Sequence, residues 1–444
     1  LIPIINATPG SSTIILSSLS NEIDGLQNCQ AAFNGILTMT SDQPELIPGL
    51  WILRAPLPES RLFEEGSRWS AISGELAPLK GQVVFVAGSR KVGKSSFCRY
   101  LVNRLLNYHA RVGFIDFDCG QTEFTPPGCF SFDVLDSPIL APPFARCMKA
   151  PKASVYTGIL TPSENPVQYI DACASIWDEV KVHLSQDSIP IIVNTMGWVS
   201  GLGLSLLSHL LQLVRPSHVL AFGEDPPNGE DYISKALYQC STFPGSRPFT
   251  RDEQIAIAYL PPVSSTRSLS ISPSDSRNLL LWAHFYYRPD LLKYSFDMPL
   301  CERQPFVRSL DSFHLHLTFH PASTNAIIGS LNGALVAFSI SSNVALGKHS
   351  YYKRGRKPFK SLGIGLIRGI CTKKRLVYIV GPISEDVLTS SNVIIVGPQS
   401  LPHAMLTHGQ NFQGPYFNFQ SNQETSGFAP RKVRNNLIRS STRN

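Results

Sequence analysis

Apolar residues follow three different rhythms along this chain. Between residues 82 and 222 they come as short, nearly unbroken runs at 82–87, 112–117, 189–193 and 218–222. Helical spacing lies between those runs, at 94–107, 167–182 and 203–214. Unbroken apolar runs mark strands buried on both faces of a parallel sheet, and the intervening 3.6-residue period supplies the helices that cover it. Residues 82–117 read strand, glycine turn, helix, strand, which is a βαβ unit. The middle of the chain is therefore expected to be α/β, with helices on both faces of a mainly parallel sheet. Residues 1–75 carry short apolar or β-branched runs at 13–16, 36–39 and 50–53, separated by Gly, Pro, Ser and Asn, which predicts a β-rich domain. Residues 223–275 are rich in Pro, Ser, Gly and Asp and read as irregular. Helical spacing resumes at 274–285, and short alternating runs return at 314–319, 334–340, 376–380 and 393–396. This pattern divides the chain into a β-rich N-terminal domain (1–75), an α/β domain (76–295), a β-rich C-terminal domain (296–429) and a tail (430–444).

Composition narrows the class. Of 444 residues, 43% are hydrophobic and 16% charged, enough apolar surface for a sizeable core. No stretch reaches the ~18–20 uninterrupted apolar residues of a bilayer span, so no membrane association is expected. The first twenty residues are apolar but have no basic leader, and Pro3, Asn6 and Pro9 interrupt them, unlike a secretory signal. The chain opens on Leu1 and reads as a piece of a longer protein. Its nine cysteines are scattered without a CxxC pair, which excludes a disulfide framework or zinc module and fits a reducing compartment. Asn6-Ala7-Thr8 is then a chance sequon.

Charge is unevenly placed. The net charge is +7, yet residues 340–444 hold 15 Lys and Arg against 3 Asp and Glu, leaving the rest of the chain mildly acidic. That asymmetry points to a polyanion or an acidic protein partner at the C-terminal end. Residues 353–360 read as a basic loop, open to interpretation as an RNA contact, a nuclear-localisation run or a merely soluble surface. The last fifteen residues carry five positive charges and no negative one.

The strongest motif is the segment Gly88, Ser89, Arg90, Lys91, Val92, Gly93, Lys94, Ser95, which fits GxxxxGK(S/T) between a buried strand and a helix. Glycines let backbone N–H groups converge on phosphate oxygens, and the helix start adds its positive dipole. Lys94 can reach the β- and γ-phosphates of a nucleotide, the Ser95 hydroxyl suits Mg²⁺, and Ser96 suits the α-phosphate. The second strand ends in Asp116-Phe117-Asp118-Cys119-Gly120-Gln121. Carboxylates at i and i+2 leave a strand on one side. One can attend the metal while the other takes a proton from an attacking hydroxyl, or one serves the metal and the other the structure. No NKxD guanine-reading motif follows, which disfavours a GTPase. Thr195-Met196-Gly197-Trp198 comes after the buried run 189–193, at a strand's carboxyl end where open α/β sheets bind ligands. Trp198 there either stacks on a base, braces the phosphate loop, or is buried packing.

These three motifs, in this order, resemble the polynucleotide 5′-hydroxyl kinases of RNA processing, which carry a phosphate loop, then DxDxGQ, then TxGW. Thr125-Pro126-Pro127-Gly128 also resembles the family, as does the stretch from Tyr156 through Thr161-Pro162 to Asn165-Pro166 and Tyr169. Gly363 to Gly369, and Arg431-Lys432-Val433-Arg434-Asn435 with Leu437, are similar to its nucleolar pre-rRNA-processing branch. The resemblance implies a P-loop kinase fold flanked by β-rich domains. It implies ATP and Mg²⁺ as cofactors and phosphoryl transfer to an RNA 5′-hydroxyl. Lys94 would bind phosphates, Ser95, Asp116 and Asp118 would attend Mg²⁺, and Asp118 or Asp116 would activate the hydroxyl. Gln121 would orient phosphate or water. Thr195 to Trp198 would form a clasp that holds the phosphate-loop lysine. Arg277 is the first choice for a lid arginine, with Arg247 and Arg251 as runners-up. Thr125, Thr157, Thr161, Asn165 and Tyr169 would grip RNA, Tyr169 having helix packing as its alternative. The branch implies a nuclear, nucleolar location and an endoribonuclease partner docked partly through the tail. The substrate would be the 5′-OH pre-rRNA end that nuclease leaves. Two rival functions stand beside this reading: an ATP-binding scaffold without turnover, and a P-loop kinase of a small metabolite.

Overall fold

The computed structural model describes residues 66–146, 150–224, 231–239, 243, 245, 247–263, 272–288, 291, 293–320, 326–402 and 405, with the strand residues 45–47 and 50–51. Of the expected N-terminal β domain, the described part is the antiparallel pair β1 (Glu45–Ile47) and β2 (Leu50–Trp51). The basic tail lies outside the described residues.

Two seven-stranded sheets dominate the molecule. The first is built from α1 (Trp69–Leu76), β3 (Val83–Gly88), α2 (Lys94–Leu105), β4 (Val112–Asp116), β5 (Cys129–Leu135), β6 (Ala153–Tyr156), α3 (Pro166–Asp187), β7 (Ile191–Asn194), α4 (Leu202–Val214), β8 (His218–Phe222), α5 (Tyr232–Tyr238) and β9 (Ala256–Leu260). Its strand order is β6-β5-β4-β7-β3-β8-β9. From β4 to β9 the strands are parallel, while β5 and β6 add an antiparallel edge. Alternation along β3 feeds both faces. Phe85 and Ala87 join a core covered by α3, α4 and α5, whereas Val84 and Val86 join one covered by α1 and α2. The mainly parallel sheet expected from the apolar runs is therefore present. The irregular stretch expected over 223–275 in fact contributes α5 and β9. β9 is an unbroken apolar run, flanked by turn formers and only partly buried because it is an edge strand. The domain boundary expected at residue 75 also moves upstream. Trp69 of α1 is fully buried against Phe97, Tyr100 and Phe222, so α1 belongs to the first sheet's core.

The chain then forms α6 (Pro273–Tyr286), β10 (Tyr287–Arg288), β11 (Lys293–Tyr294), β12 (Phe306–Ser309), β13 (His314–Leu317), α7 (Ala326–Leu331), β14 (Ala334–Ser339), β15 (His349–Tyr351), β16 (Gly363–Cys371), β17 (Leu376–Val380), α8 (Glu385–Ser390) and β18 (Val393–Ser400). The second sheet runs β12-β17-β16-β14-β18-β13-β15, with β13 parallel to both β15 and β18. One face packs on α7 and α8; the other receives Leu279, Leu281, Trp282, Phe285 and Tyr286 of α6. That second core also takes Cys129 and Tyr156 from the first sheet, so α6 is buried between the two halves.

The halves meet through backbone. Ser361 N–H donates to Ser154 O at 2.7 Å, and Thr318 Oγ1 donates to Thr157 O at 2.7 Å. A Cβ on Gly158 would stand 2.7 Å from Gly397 Cα, a distance only two glycines permit. The basic loop 353–360 lies on α3: Lys360 Nζ is 2.6 Å and Lys357 Nζ 3.5 Å from Glu179, and Tyr352 Oη and Gly355 N–H both donate to Asp171 Oδ2. Two of the loop's charges are thus paired within the molecule. Among the described residues no helix is long and apolar enough to cross a membrane.

His284 of α6 donates from Nε2 to Ile364 O at 3.0 Å, and burial pushes its pKa down to about 4 from 6.5. Its neutral form is favoured in the folded chain, so its contribution is present above pH ~6.5 and is lost as pH falls toward 4. Cooling-reversible thermal melts at pH 7 and pH 5 should show a loss on the order of 1–2 kcal/mol from this group. His284→Gln should flatten that slope, and an unchanged slope would remove His284 as its source.

Candidate active site

Parallel β4, β7 and β3 lie side by side, so their carboxyl ends bring three loops together. The pairings Asp116↔Asn194 and Val86↔Asn194 fix the alignment. β3 delivers Gly88, whose φ of 151° and close approach to Phe222 leave no room for a Cβ. Gly93, at φ 103°, caps α2, and the first turn of α2 presents Lys94, Ser95 and Ser96. The loop between them exposes Ser89, Arg90 and Lys91. Its outer flank is held by Val263 N–H, which donates to Val92 O at 3.1 Å. Lys94 is 8% exposed and folds back so that Nζ donates to Ser89 O at 2.7 Å. Burial lowers its pKa, and the neighbouring Asp118 opposes that shift.

The two carboxylates of the DxD pair are not equivalent. Asp116, the last residue of β4, is 1% exposed and saturated by donors. Its Oδ1 accepts from Asn194 Nδ2 at 3.0 Å and Asp118 N at 3.1 Å, and its Oδ2 accepts from Glu123 N at 2.7 Å. Burial, aided by repulsion from Asp118, pushes its pKa up to about 8. Asp118 is half-buried beyond the strand end. One oxygen, Oδ1, accepts from Gly120 N and Gln121 N, both at 3.0 Å. Among the described residues its Oδ2 has no hydrogen-bond partner. Burial raises the Asp118 pKa, while the loop amides, Lys94 and Arg90 pull it back. The expectation that both carboxylates leave the strand on one side does not hold, because the strand ends at Asp116 and the chain turns.

The clasp segment lies against the phosphate loop. Thr195 Oγ1 donates to Val86 O at 2.7 Å, next to the end of β3. Gly197 packs on the loop itself: a Cβ there would stand 2.8 Å from both Arg90 N and Arg90 Cα. Trp198 is half-buried, packs on the first sheet's core and lies over Gly203, where an added Cβ would stand 2.2 Å from the indole. One side of the indole is thus packed, and the residue remains partly open.

Gln121 turns away from the phosphate loop. Its Nε2 donates to Pro273 O at 3.2 Å, and its Oε1 accepts from Ser276 Oγ at 3.0 Å, so both ends of the amide hold the start of α6. Arg277, one residue on, is half-buried and near Glu164, whose carboxyl is raised by burial, with the Leu160 and Thr161 amides and then Arg277 pulling it back in part. It therefore borders the 157–165 loop. The runners-up Arg247 and Arg251 lie before the amino end of β9, beside the Arg215–Glu253 ion pair, at the opposite end of the parallel strands from the phosphate loop.

The expected RNA grip is mostly interior. Thr125 and Thr157 are buried, the latter bonded to Gly128 O. Tyr169 is fully buried, stacks edge-on to Phe130, and donates from its hydroxyl to Phe117 O at 3.0 Å; it is the packing alternative. Asn165 caps α3 by accepting from Gln168 N. Thr161, beside Ser163, and Asn165 are half-buried, the more open of the five side chains.

Sequence reasoning missed Asn194 and Glu123. Asn194 directly precedes Thr195, at the end of a run that reads as apolar strand. Burial raises the Glu123 carboxyl, but Arg99 and Arg146 more than offset it and hold its pKa below the ordinary range. Among the described residues no group of three acidic, His or Cys side chains could hold a metal by itself. Mg²⁺ at a phosphate loop needs only one or two carboxylates beside the nucleotide's phosphates and water. The Ser95 hydroxyl in the first turn of α2, with the DxD carboxylates on the neighbouring loop, fits that requirement. Gly197→Ala should force the clasp off the loop, destabilising by about 1–3 kcal/mol and weakening ADP binding. Thermal melts and a fluorescent ADP titration check this, and wild-type values in both would refute the close packing.

A family model described as mRNA cleavage and polyadenylation factor CLP1 P-loop matches residues 88–240, and one described as NOL9-like, C-terminal domain matches residues 301–402. The chain is 28% identical over 407 residues to the polynucleotide 5′-hydroxyl-kinase NOL9 of Danio rerio, covering 85% of this chain and 55% of that protein. It is 30% identical over 384 residues to the Homo sapiens protein of the same name, covering 78% and 53%. It thus spans about half the length of these relatives. A solved chain from the Clp1p–Pcf11p complex has the same fold, with a TM-score of 0.53 at 16% identity over 76% of this chain and 80% of that one. A CLP1-type P-loop match followed by a NOL9-like C-terminal match thus makes the chain similar, over most of its length, to polynucleotide 5′-hydroxyl-kinases.

Proposed function

We propose that this protein transfers the γ-phosphate of ATP to the 5′-hydroxyl of RNA. The observation that carries the reading is the meeting of a phosphate loop, with Lys94 at the start of α2 bonded to Ser89 O, and the strand-end loop on which Asp118 keeps Oδ2 open. In-line transfer needs little covalent help from a protein: it needs positioning and positive charge around the transferring phosphoryl group. The backbone of residues 88–95 and Lys94 cradle the phosphates, Lys94 leaving Ser89 O to do so. Asp118 Oδ2 accepts the proton of the attacking hydroxyl, whose oxygen bonds to the γ-phosphorus as the bond to ADP breaks. Asp116, enclosed by three donors, orients this loop. Ser95 would hold Mg²⁺, which would neutralise phosphate charge, while Asp118 Oδ2 is kept for the proton. Arg277 and Thr161 border the face from which the RNA end approaches.

The biological substrate we propose is the 5′-OH end left by endonucleolytic cleavage of the pre-rRNA internal spacer, in the nucleolus, with the endoribonuclease as a bound partner. The NOL9 names of the relatives and the basic tail support this setting.

Labelled γ-phosphate should pass from ATP to a 5′-OH oligoribonucleotide with the wild type and not with Lys94→Ala. Asp118→Asn should cut turnover at least 100-fold, on the scale of a lost general base, with little change in ATP binding. Equal turnover in Asp118→Asn and wild type would transfer the proton-accepting role to Asp116. Bound ATP without any labelled RNA would favour the scaffold instead. Deletion of 430–444 should leave the melting profile intact but reduce co-purification with the nuclease; undiminished co-purification would refute tail docking.

A further inference from the structure

Glu123 is buried beside the site, and the mechanism above does not use it. Its side chain is 2% exposed. Its carboxylate grips Arg99 with both oxygens, at 2.7 Å to Nε and 3.1 Å to Nη2, and also pairs with Nη2 of Arg146. Its backbone N–H is the 2.7 Å donor to Asp116 Oδ2. Arg99 stands on α2, five residues after Lys94, and Arg146 arrives from the β5–β6 connection, its guanidinium 5.0 Å over Phe124. One residue therefore ties the helix that carries the phosphate-loop lysine to the strand end that carries the DxD pair. Burying an ion pair is a poor way to stabilise a fold, since an apolar replacement often does as well. What a forked, charge-assisted grip supplies is a fixed distance.

We propose that Glu123 is a positioning residue of the phosphoryl-transfer site, holding Asp116, and through it the Asp118 loop, in register with α2. The proposal rests on the kinase reading above. A shift of the carboxylate loop relative to α2 separates Asp118 from Lys94 and Ser95 without disturbing the cradle of backbone amides. Loss of Glu123 therefore reaches turnover and metal use before it reaches nucleotide binding as such.

The test uses the whole chain as wild type, Glu123→Gln, Glu123→Asp and Arg99→Lys. Two readouts are taken: label transfer to a 5′-OH oligoribonucleotide, per molecule competent to bind a fluorescent ADP analogue, and the affinity for that analogue with and without Mg²⁺. In Glu123→Gln, kcat should fall roughly 10–100-fold with KM for ATP within about threefold, the scale of lost outer-shell partners at metal sites. The gain in ADP affinity conferred by Mg²⁺ should shrink in parallel, and Glu123→Asp should recover part of both. Unchanged kcat per competent molecule together with unchanged Mg²⁺ dependence would overturn the proposal. If Glu123→Gln does not fold, Arg99→Lys decides, since it keeps the buried charge balance and removes only the fork. If the wild type transfers no label, the kinase reading fails, and the Mg²⁺ dependence of ADP binding still decides the role of Glu123.

Discussion

The arrangement of this molecule depends on the burial of α6 between two sheets. Leu279, Leu281, Trp282, Phe285 and Tyr286 form the core of the second half, and the start of the same helix holds both ends of the Gln121 amide. A helix whose apolar face is committed to one domain and whose first turn is bonded to the other cannot shift without cost to either. The second sheet is in this sense part of the scaffold of the phosphate loop. Its contact through Gly158 and Gly397 places the backbone of residues 157–165 against the DxD loop, where a Cβ on Gly120 would stand 2.5 Å from Leu160 O.

Within that frame the charges divide into two populations. Asp116, Glu123, Arg99 and Arg146 are bonded to one another in the interior and hold geometry. Lys94, Asp118, Arg90 and Ser95 face the opening and are less completely satisfied. Buried polar groups normally find partners, so the open oxygen of Asp118 beside a buried lysine marks where a ligand completes the site.

Much of this was legible in the residues themselves. β3, β4, β7 and β8 are buried on both faces and so read as unbroken apolar runs, and the GxxxxGK(S/T) spacing located the loop that follows β3. β5 and β6 were not foreseen, because nothing in a short run announces whether it extends a sheet in the antiparallel sense. β9 and α5 sit in a segment dominated by turn formers, which masks the short apolar run of β9 and the two helical turns of α5. The DxD pair was recognised, but its asymmetry was not. Three donors close on Asp116 from residues 118, 123 and 194, and only folding brings the last of these to it. Tyr169 illustrates the opposite error: a residue type suited to stacking on a base is instead fully enclosed, with its hydroxyl spent on Phe117 O.

The basic loop 353–360 has one more consequence. Its lysines meet Asp178 and Glu179 of α3 across a solvent-exposed seam, with Lys357 and Lys360 each more than half exposed. Exposed pairs of this kind weaken as added salt shortens the Debye length from ~10 Å at 0.1 M to ~3 Å at 1 M. Ionic strength therefore acts on this protein in two places: on any polyanion it binds, and on the seam between its own halves. A salt titration of RNA affinity contains both effects. Its slope equals a count of phosphate contacts only after the intramolecular share, measured on the free protein, has been subtracted.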